Sequence, residues 1–238
     1  IAYLSHTSLS DVDFSFLQSA QKMMDITYYV EITPKHLKGA AINLDKCYPK
    51  TGVFGADVYP QLYRFKDIID LKKVRVINTS GRGWFFKAFI SNYKLYRELK
   101  KKKYDVIHIT WPLNLFELIL YLFRKRMVLT VHDPFSHSSN TNFSTEARRF
   151  LAFRSLNNYI ILNKNQREDF VRRCHLQNKN IYESSLSCYS YLPRIIIPSK
   201  KTNYKCILFF GRITAYKGLE FLFPAFEIVH KKHPDVSL

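Results

Sequence analysis

A chain of 238 residues has room for one large domain or two ordinary ones, and 47% hydrophobic with 16% aromatic residues supply ample core, which excludes a disordered or fibrous protein. Thirty-seven Lys and Arg against nineteen Asp and Glu give a formal charge of +18, pointing to acidic partners: nucleic acid, an anionic membrane face or phosphorylated substrates. No RNP-type aromatic strand, zinc-finger spacing or basic heptad helix accompanies that charge, so no nucleic-acid partner is expected. The four cysteines (Cys47, Cys174, Cys188, Cys206) form no CxxC pair and no zinc-type spacing with His; no metal is expected, and a reducing cytoplasm is the default compartment. The first ten residues lack the basic flank and cleavage site of a signal peptide, and an initiator Met is expected upstream of Ile1. The most apolar run, Leu113–Phe123, is too short to span a bilayer and carries Glu117.

Along the chain, β-rich runs alternate with helical ones. A strand at Ile1–Ser5 precedes a helix over Phe14–Met24, with Phe14, Leu17, Ala20 and Met24 on one face. A strand at Ile26–Ile32 leads to a less regular region reaching Asp57, then a helix over Pro60–Asp70 with proline in its first turn. Strand Val74–Asn78 is followed by a long helix, Trp84–Lys103. Its Phe85, Ala88, Phe89, Asn92, Tyr93, Tyr96 and Leu99 make a stripe expected to face the core, and its lysines suit a helix C-terminus. Strand Asp105–Thr110, helix Asn114–Arg124, strand Met127–His132, helix Thr145–Leu156, strand Tyr159–Asn163 and helix Lys164–Arg173 come next, with a last strand near Ile181–Leu186. This order predicts an α/β, Rossmann-like parallel sheet with helices on both faces, over residues 1–190. Residues 191–204 read as a linker, and 205–238 as the first β–α unit of a second, incomplete domain.

That last segment carries the clearest chemistry. Cys206–Phe210 is a continuous apolar run suited to a strand buried on both faces. Leu219, Leu222, Phe223, Phe226 and Val229 keep helical spacing, with Pro224 expected to kink the helix. Between strand and helix, Gly211 permits a turn, Gly218 opens the helix where free amides favour an anion, and Arg212 and Lys217 bring two cations suited to a diphosphate. Arg212 solvating a strand end and Lys-Gly as an ordinary loop dipeptide are the bland alternatives. Ser10, Asp11 and Asp13 read as helix-capping residues, and Ser80–Gly83 as a strand-to-helix turn without the third glycine of a dinucleotide fingerprint.

Together, Gly211-Arg212-Ile213, Lys217-Gly218-Leu219-Glu220 and the flanking strand and helix resemble the start of the donor domain of GT-B glycosyltransferases, particularly the retaining family 4. The run Met127–Pro134, ending in His132-Asp133-Pro134, is similar to the segment that places a histidine beside the reacting bond in that family. A lone strand histidine is equally consistent with a structural role. The resemblance implies a nucleotide-sugar donor held by Gly211, Arg212, Lys217 and Gly218, and His132 as the catalytic residue, with His137 as a lesser candidate for acceptor contact. It implies a glycan or lipid-linked acceptor and transfer that is retaining and metal-independent. It also implies a protein of the cytoplasm, peripheral at an anionic membrane face. The Gly-Gly loop that many enzymes of that family use near the acceptor is absent from Ser8–Phe14, and the glutamate pair that holds donor sugar and ribose does not occur in these residues. The chain by itself is therefore expected to be inactive; a truncated remnant or acceptor-binding module is the alternative, and a basic nucleic-acid-binding protein a more distant one.

Overall fold

The computed structural model describes residues 1–33, 41–44, 51–79, 84–135, 143–192, 205–211, 213 and 217–238. The chain divides into two compact units, Ile1–Ile195 and Ile196–Leu238.

In the first unit an eight-stranded sheet is built from β1 (Ala2–His6), β2 (Thr27–Ile32), β3 (Gly52–Gly55), β4 (Val74–Asn78), β5 (Ile107–Ile109), β6 (Met127–Val131), β7 (Asn158–Ile161) and β8 (Asn180–Glu183). Their order is β3-β4-β2-β1-β5-β6-β7-β8, parallel throughout except that β3 runs antiparallel to β4 at the edge. The chain builds outward from β1 to one side, then returns to lay β5 against its other edge. The strand order thus reverses between β1 and β5, the place where open α/β sheets form a ligand crevice at the strand C-termini. The edge strand β3 lies in the stretch the sequence presents as irregular; two glycines among four residues mask its β character.

Alternating side chains feed one core on each face, so that neighbours such as Tyr3 and Leu4 point to opposite sides. On one face α1 (Ser10–Ala20) packs Phe14 and Leu17 against Tyr3, Tyr28 and Val30. On the other, Leu4, Tyr29, Ile109, Leu129 and Ile161 are covered from α2 (Trp84–Lys102), a 3-10 helix over Leu115–Arg126, α3 (Phe143–Ser155) and α4 (Arg167–Arg173). The helix expected over Pro60–Asp70 is a 3-10 turn at Pro60–Phe65, and Asn114–Arg124 takes the same tighter form. Asn114 and Glu117 make a reciprocal capping box that fixes where the second begins.

α2 docks differently from the expected stripe. Ala88, Ser91, Asn92, Leu95 and Leu99 form its buried face, whereas Phe85, Phe89 and Tyr93 are exposed. Two interactions set this rotation. Arg75 on β4 donates from Nε and a terminal nitrogen to Glu98, both at 2.9 Å, and Ser91 Oγ donates to the Asn78 carbonyl at 2.6 Å. Tyr191, which falls in the expected linker, is buried edge-on against Phe14 with ring centroids 5.8 Å apart, and so belongs to the first core.

In the second unit β9 (Lys205–Cys206) pairs in parallel with β10 (Val236–Ser237), and α5 (Leu219–Lys232) lies between them in sequence. The expected strand is shorter than its apolar run, and Leu208 and Phe210 are exposed rather than buried. Among the described residues of this unit, one helix and two two-residue strands supply no second layer to cover them. Pro224 sits inside α5, which runs on past it to Lys232.

Candidate functional site

The crevice opens where the chain leaves β6. His132, one residue beyond the strand, is half-buried, and its imidazole is held below its ordinary range by burial, with the Asp133 carboxylate acting the other way. It lines two small hollows. One, of about 180 Å³, is bordered by Thr110, Trp111, Pro112, Thr130, Asp133 and Arg149. The other, of about 100 Å³, is bordered by Tyr3, Asp13, His108, Thr130 and the serines 184, 185 and 187.

Behind His132 lies a polar network that the sequence does not reveal. His108, in the middle of β5, shares a 2.6 Å hydrogen bond between Nε2 and Thr130 Oγ1, and Tyr3 meets its ring edge-on at 4.8 Å. Burial, reinforced by His132, lowers His108 to about 4, so it is neutral near pH 7. Asp13 accepts from Tyr3 at 2.8 Å and Tyr28 at 2.9 Å. Burial raises its carboxyl to about 7 against the hydrogen bonds from Ser5, Tyr3 and Tyr28. Asp13, read as a capping residue, is instead a buried anchor between α1 and two strands. Ser10 does bond locally, its Oγ donating to the Thr7 carbonyl at 2.7 Å.

At the C-terminal ends of β1 and β5, His6 packs against Trp111 with the rings tilted by 34° and their centroids 4.0 Å apart. The Trp111 indole donates to Glu117 at 3.1 Å, and the Asn114 amide donates to the same carboxyl at 2.7 Å. Burial still raises Glu117 to about 7, and raises Glu31 well above the carboxylate range with Glu117 adding to the effect. Two interacting, fully buried carboxyls do not both ionise near neutrality. Glu117 shows in the sequence only as a charge inside an apolar run; Glu31 gives no signal, because a strand glutamate is ordinarily solvent-facing.

In the second unit Gly211 has φ of +138° and Gly218 has φ of +67°, both in the region that favours glycine. Gly218 is the N-cap of α5 with no side-chain cap, and its carbonyl accepts from the Phe221 and Leu222 amides. Lys217 Cε lies 3.9 Å from the Cβ position of Gly211, so the turn brings Gly211, Lys217 and Gly218 together. Arg212, His137 and Ser80–Gly83 lie outside the described residues. Among the described residues, no group of three or more His, Cys, Asp or Glu side chains could hold a metal ion.

A mostly parallel Rossmann-like sheet with helices on both faces and its crevice at the strand C-termini is a GT-B-type α/β fold. The chain belongs to Glycosyltransferase Family 4, whose description matches residues 51–182, more than half its length and all of β3 to β7 with most of β8. Among solved structures it is similar to UDP-N-acetylglucosamine 2-epimerase from Rickettsia bellii, with TM-score 0.52 and 12% identity over 82% of this chain and 47% of that one. It is also matched to the UDP-GlcNAc 2-epimerase from Methanocaldococcus jannaschii, with TM-score 0.46 and 13% identity over 76% of this chain and 44% of that one. The chain thus spans about half the length of these structures. No curated protein matches the sequence.

Proposed function

We propose that this chain supplies the acceptor-side domain, and the first strand–turn–helix of the donor domain, of an enzyme that transfers a sugar from a nucleotide sugar to a glycan or lipid-linked acceptor. The observation that carries the reading is the position of His132. It stands at a strand C-terminus beside the reversal in strand order and lines both hollows there, in a chain of Glycosyltransferase Family 4. With its imidazole largely neutral, His132 can accept a hydrogen bond from a sugar or acceptor hydroxyl at the reacting bond.

In this reading Lys217, the amides after Gly218 and Arg212 grip the donor diphosphate. Gly211 gives the backbone the room to turn into it. Transfer proceeds with retention and without a metal, the cations of the turn balancing charge on the leaving group. The 238 residues by themselves bind acceptor and do not turn over, because the glutamate pair expected to hold the donor sugar is not among them.

The enzyme works in the cytoplasm at an anionic membrane face. No helix among the described residues is long and apolar enough to cross a membrane. The outward face of α2 instead pairs exposed Phe86, Ile90 and Tyr93 with Arg97, Lys100 and Lys101.

The test is a nucleotide-sugar screen on the full-length gene product with Arg212→Ala and Lys217→Ala as controls. A sugar donor that binds the parent and binds each variant at least about tenfold more weakly is expected, as for the loss of a charged hydrogen bond. Undiminished affinity in both variants refutes the diphosphate assignment. Release of nucleoside diphosphate by the 238-residue chain alone refutes the inactive-fragment reading.

A further inference from the structure

A larger cavity adjoins the His132 crevice. It has a volume of about 530 Å³, within the range of small-molecule sites, and lies between α3, α4 and the segment after β6. Phe135, Phe150 and Phe153 form its apolar walls, and Arg149, Arg154 and Arg173 bring guanidinium groups to it. Arg149 and Phe153 also line the 180 Å³ hollow beside His132, so the two spaces share a border.

The arginines are not equivalent. Arg149 is engaged, with Glu146 at 3.5 Å and the Asp133 carbonyl at 3.1 Å. Arg173 lies over Phe135 at 4.1 Å and Arg154 over Phe150 at 5.3 Å, and neither has a carboxylate partner among the described residues. Their neighbours on α4 behave differently: Arg167 pairs with Glu183 and Arg172 with Asp169. These paired arginines do not line the cavity, whereas the two without carboxylates do. A guanidinium stacked on a ring keeps its N–H groups in plane at the rim, oriented for a second, anionic partner. Glu146 is the one carboxylate among the described lining residues and is already committed to Arg149.

We propose that this cavity is a second anion site, taking a phosphate or diphosphate whose attached group lies along the phenylalanine wall. Given the acceptor reading above, on which this identification rests, the ligand is a phosphorylated acceptor whose far end reaches His132 through the shared Arg149–Phe153 border. A phosphate carried by a lipid and one carried by a soluble sugar present the same chemistry to Arg154 and Arg173.

Cys174 makes the site directly testable, because it lines the cavity as a half-buried thiol while Cys188 and Cys206 are exposed elsewhere. The 238-residue chain is titrated with inorganic pyrophosphate by calorimetry, and thiol alkylation is followed by mass spectrometry. Pyrophosphate is expected to slow alkylation of Cys174 without slowing that of Cys188 or Cys206. The double variant Arg154→Gln, Arg173→Gln is expected to bind pyrophosphate at least about tenfold more weakly. Arg172→Gln, elsewhere on α4, stays within about twofold of the parent, because an exposed ion pair contributes little. Failure of the parent to bind, equal weakening by Arg172→Gln, or undiminished Cys174 alkylation at saturation each overturns the proposal. Binding abolished by Lys217→Ala alone also overturns it, and places the anion at the donor turn. An alkyl diphosphate protecting Cys174 better than pyrophosphate assigns the wall to a lipid tail, and equal protection assigns it to a soluble phosphorylated sugar.

Discussion

Buried titratable side chains dominate the chemistry at the scale of single residues. Glu117 is held at about 7 against an ordinary 4.5, and Asp13 at about 7 against 3.8. Between the ordinary and raised values the folded chain keeps protons that the unfolded chain has released, so these groups make stability fall as pH rises toward 7 and above. His108 has the opposite sign. It stays neutral in the fold down to about 4 against an ordinary 6.5, so its contribution is lost as pH falls through that window. Glu117→Gln keeps an acceptor for the Trp111 indole and removes the ionisation. The urea midpoint of this variant is expected to fall less than the parent's between weakly acidic and weakly alkaline buffer. An unchanged difference would show that Glu117 ionises as readily folded as unfolded.

At the scale of elements, α2 shows how a helix divides its sides. Arg75–Glu98 and Ser91–Asn78 turn its small and aliphatic side to the sheet. Phe85 and Phe89 pack edge-on against Phe116 at 5.1 and 5.0 Å, joining α2 to the 3-10 helix Leu115–Arg126. The solvent side keeps Phe86 at 73% exposure and Ile90 at 48%, with Leu122 of the neighbouring element at 68%. Both elements end in cations, Lys100–Lys102 and Arg124–Arg126. In the membrane-face reading proposed above, this amphipathic layer is the surface that would meet an anionic bilayer. The chain is expected to sediment with vesicles of phosphatidylcholine and phosphatidylglycerol. At about 1 kcal/mol per cation near the surface, Arg97→Gln, Lys100→Gln, Lys101→Gln together lower binding on the order of a hundredfold. Phe86→Ser with Leu122→Ser also lowers binding to these vesicles. Protein that stays in the supernatant with the anionic vesicles would exclude this face as a membrane contact.

At the scale of the whole molecule, the first unit is held by two cores on opposite faces of one sheet, and sequence-distant segments close them. Tyr191 reaches back to Phe14 of α1, and Ser190 Oγ donates to Gln18 at 3.0 Å. Tyr191→Ala is therefore expected to destabilise the first unit by about 3 kcal/mol or more, the range for truncating a buried aromatic. An exposed linker tyrosine would change stability by no more than about 0.5 kcal/mol. The urea midpoint followed by near-ultraviolet circular dichroism separates the two.

The alternation of β-rich and helical runs is enough to predict a parallel α/β sheet, because apolar periodicity is local and each β–α unit carries its own. Met127–Pro134 likewise places His132 at a strand end, since a strand and its exit turn are contiguous in sequence. The turn Gly211–Gly218 points to the GT-B lineage for the same reason. Only the tertiary structure decides relations between residues far apart: Asp13 beneath Tyr28, His108 against Thr130, Glu31 beside Glu117, and Arg154 with Arg173 around one cavity. It also decides which side of α2 is buried, because an aromatic stripe fits a core and an exposed surface equally well until the sheet beneath it is in place. Periodicity specifies that a face exists; only the neighbours that pack against it determine whether it is covered.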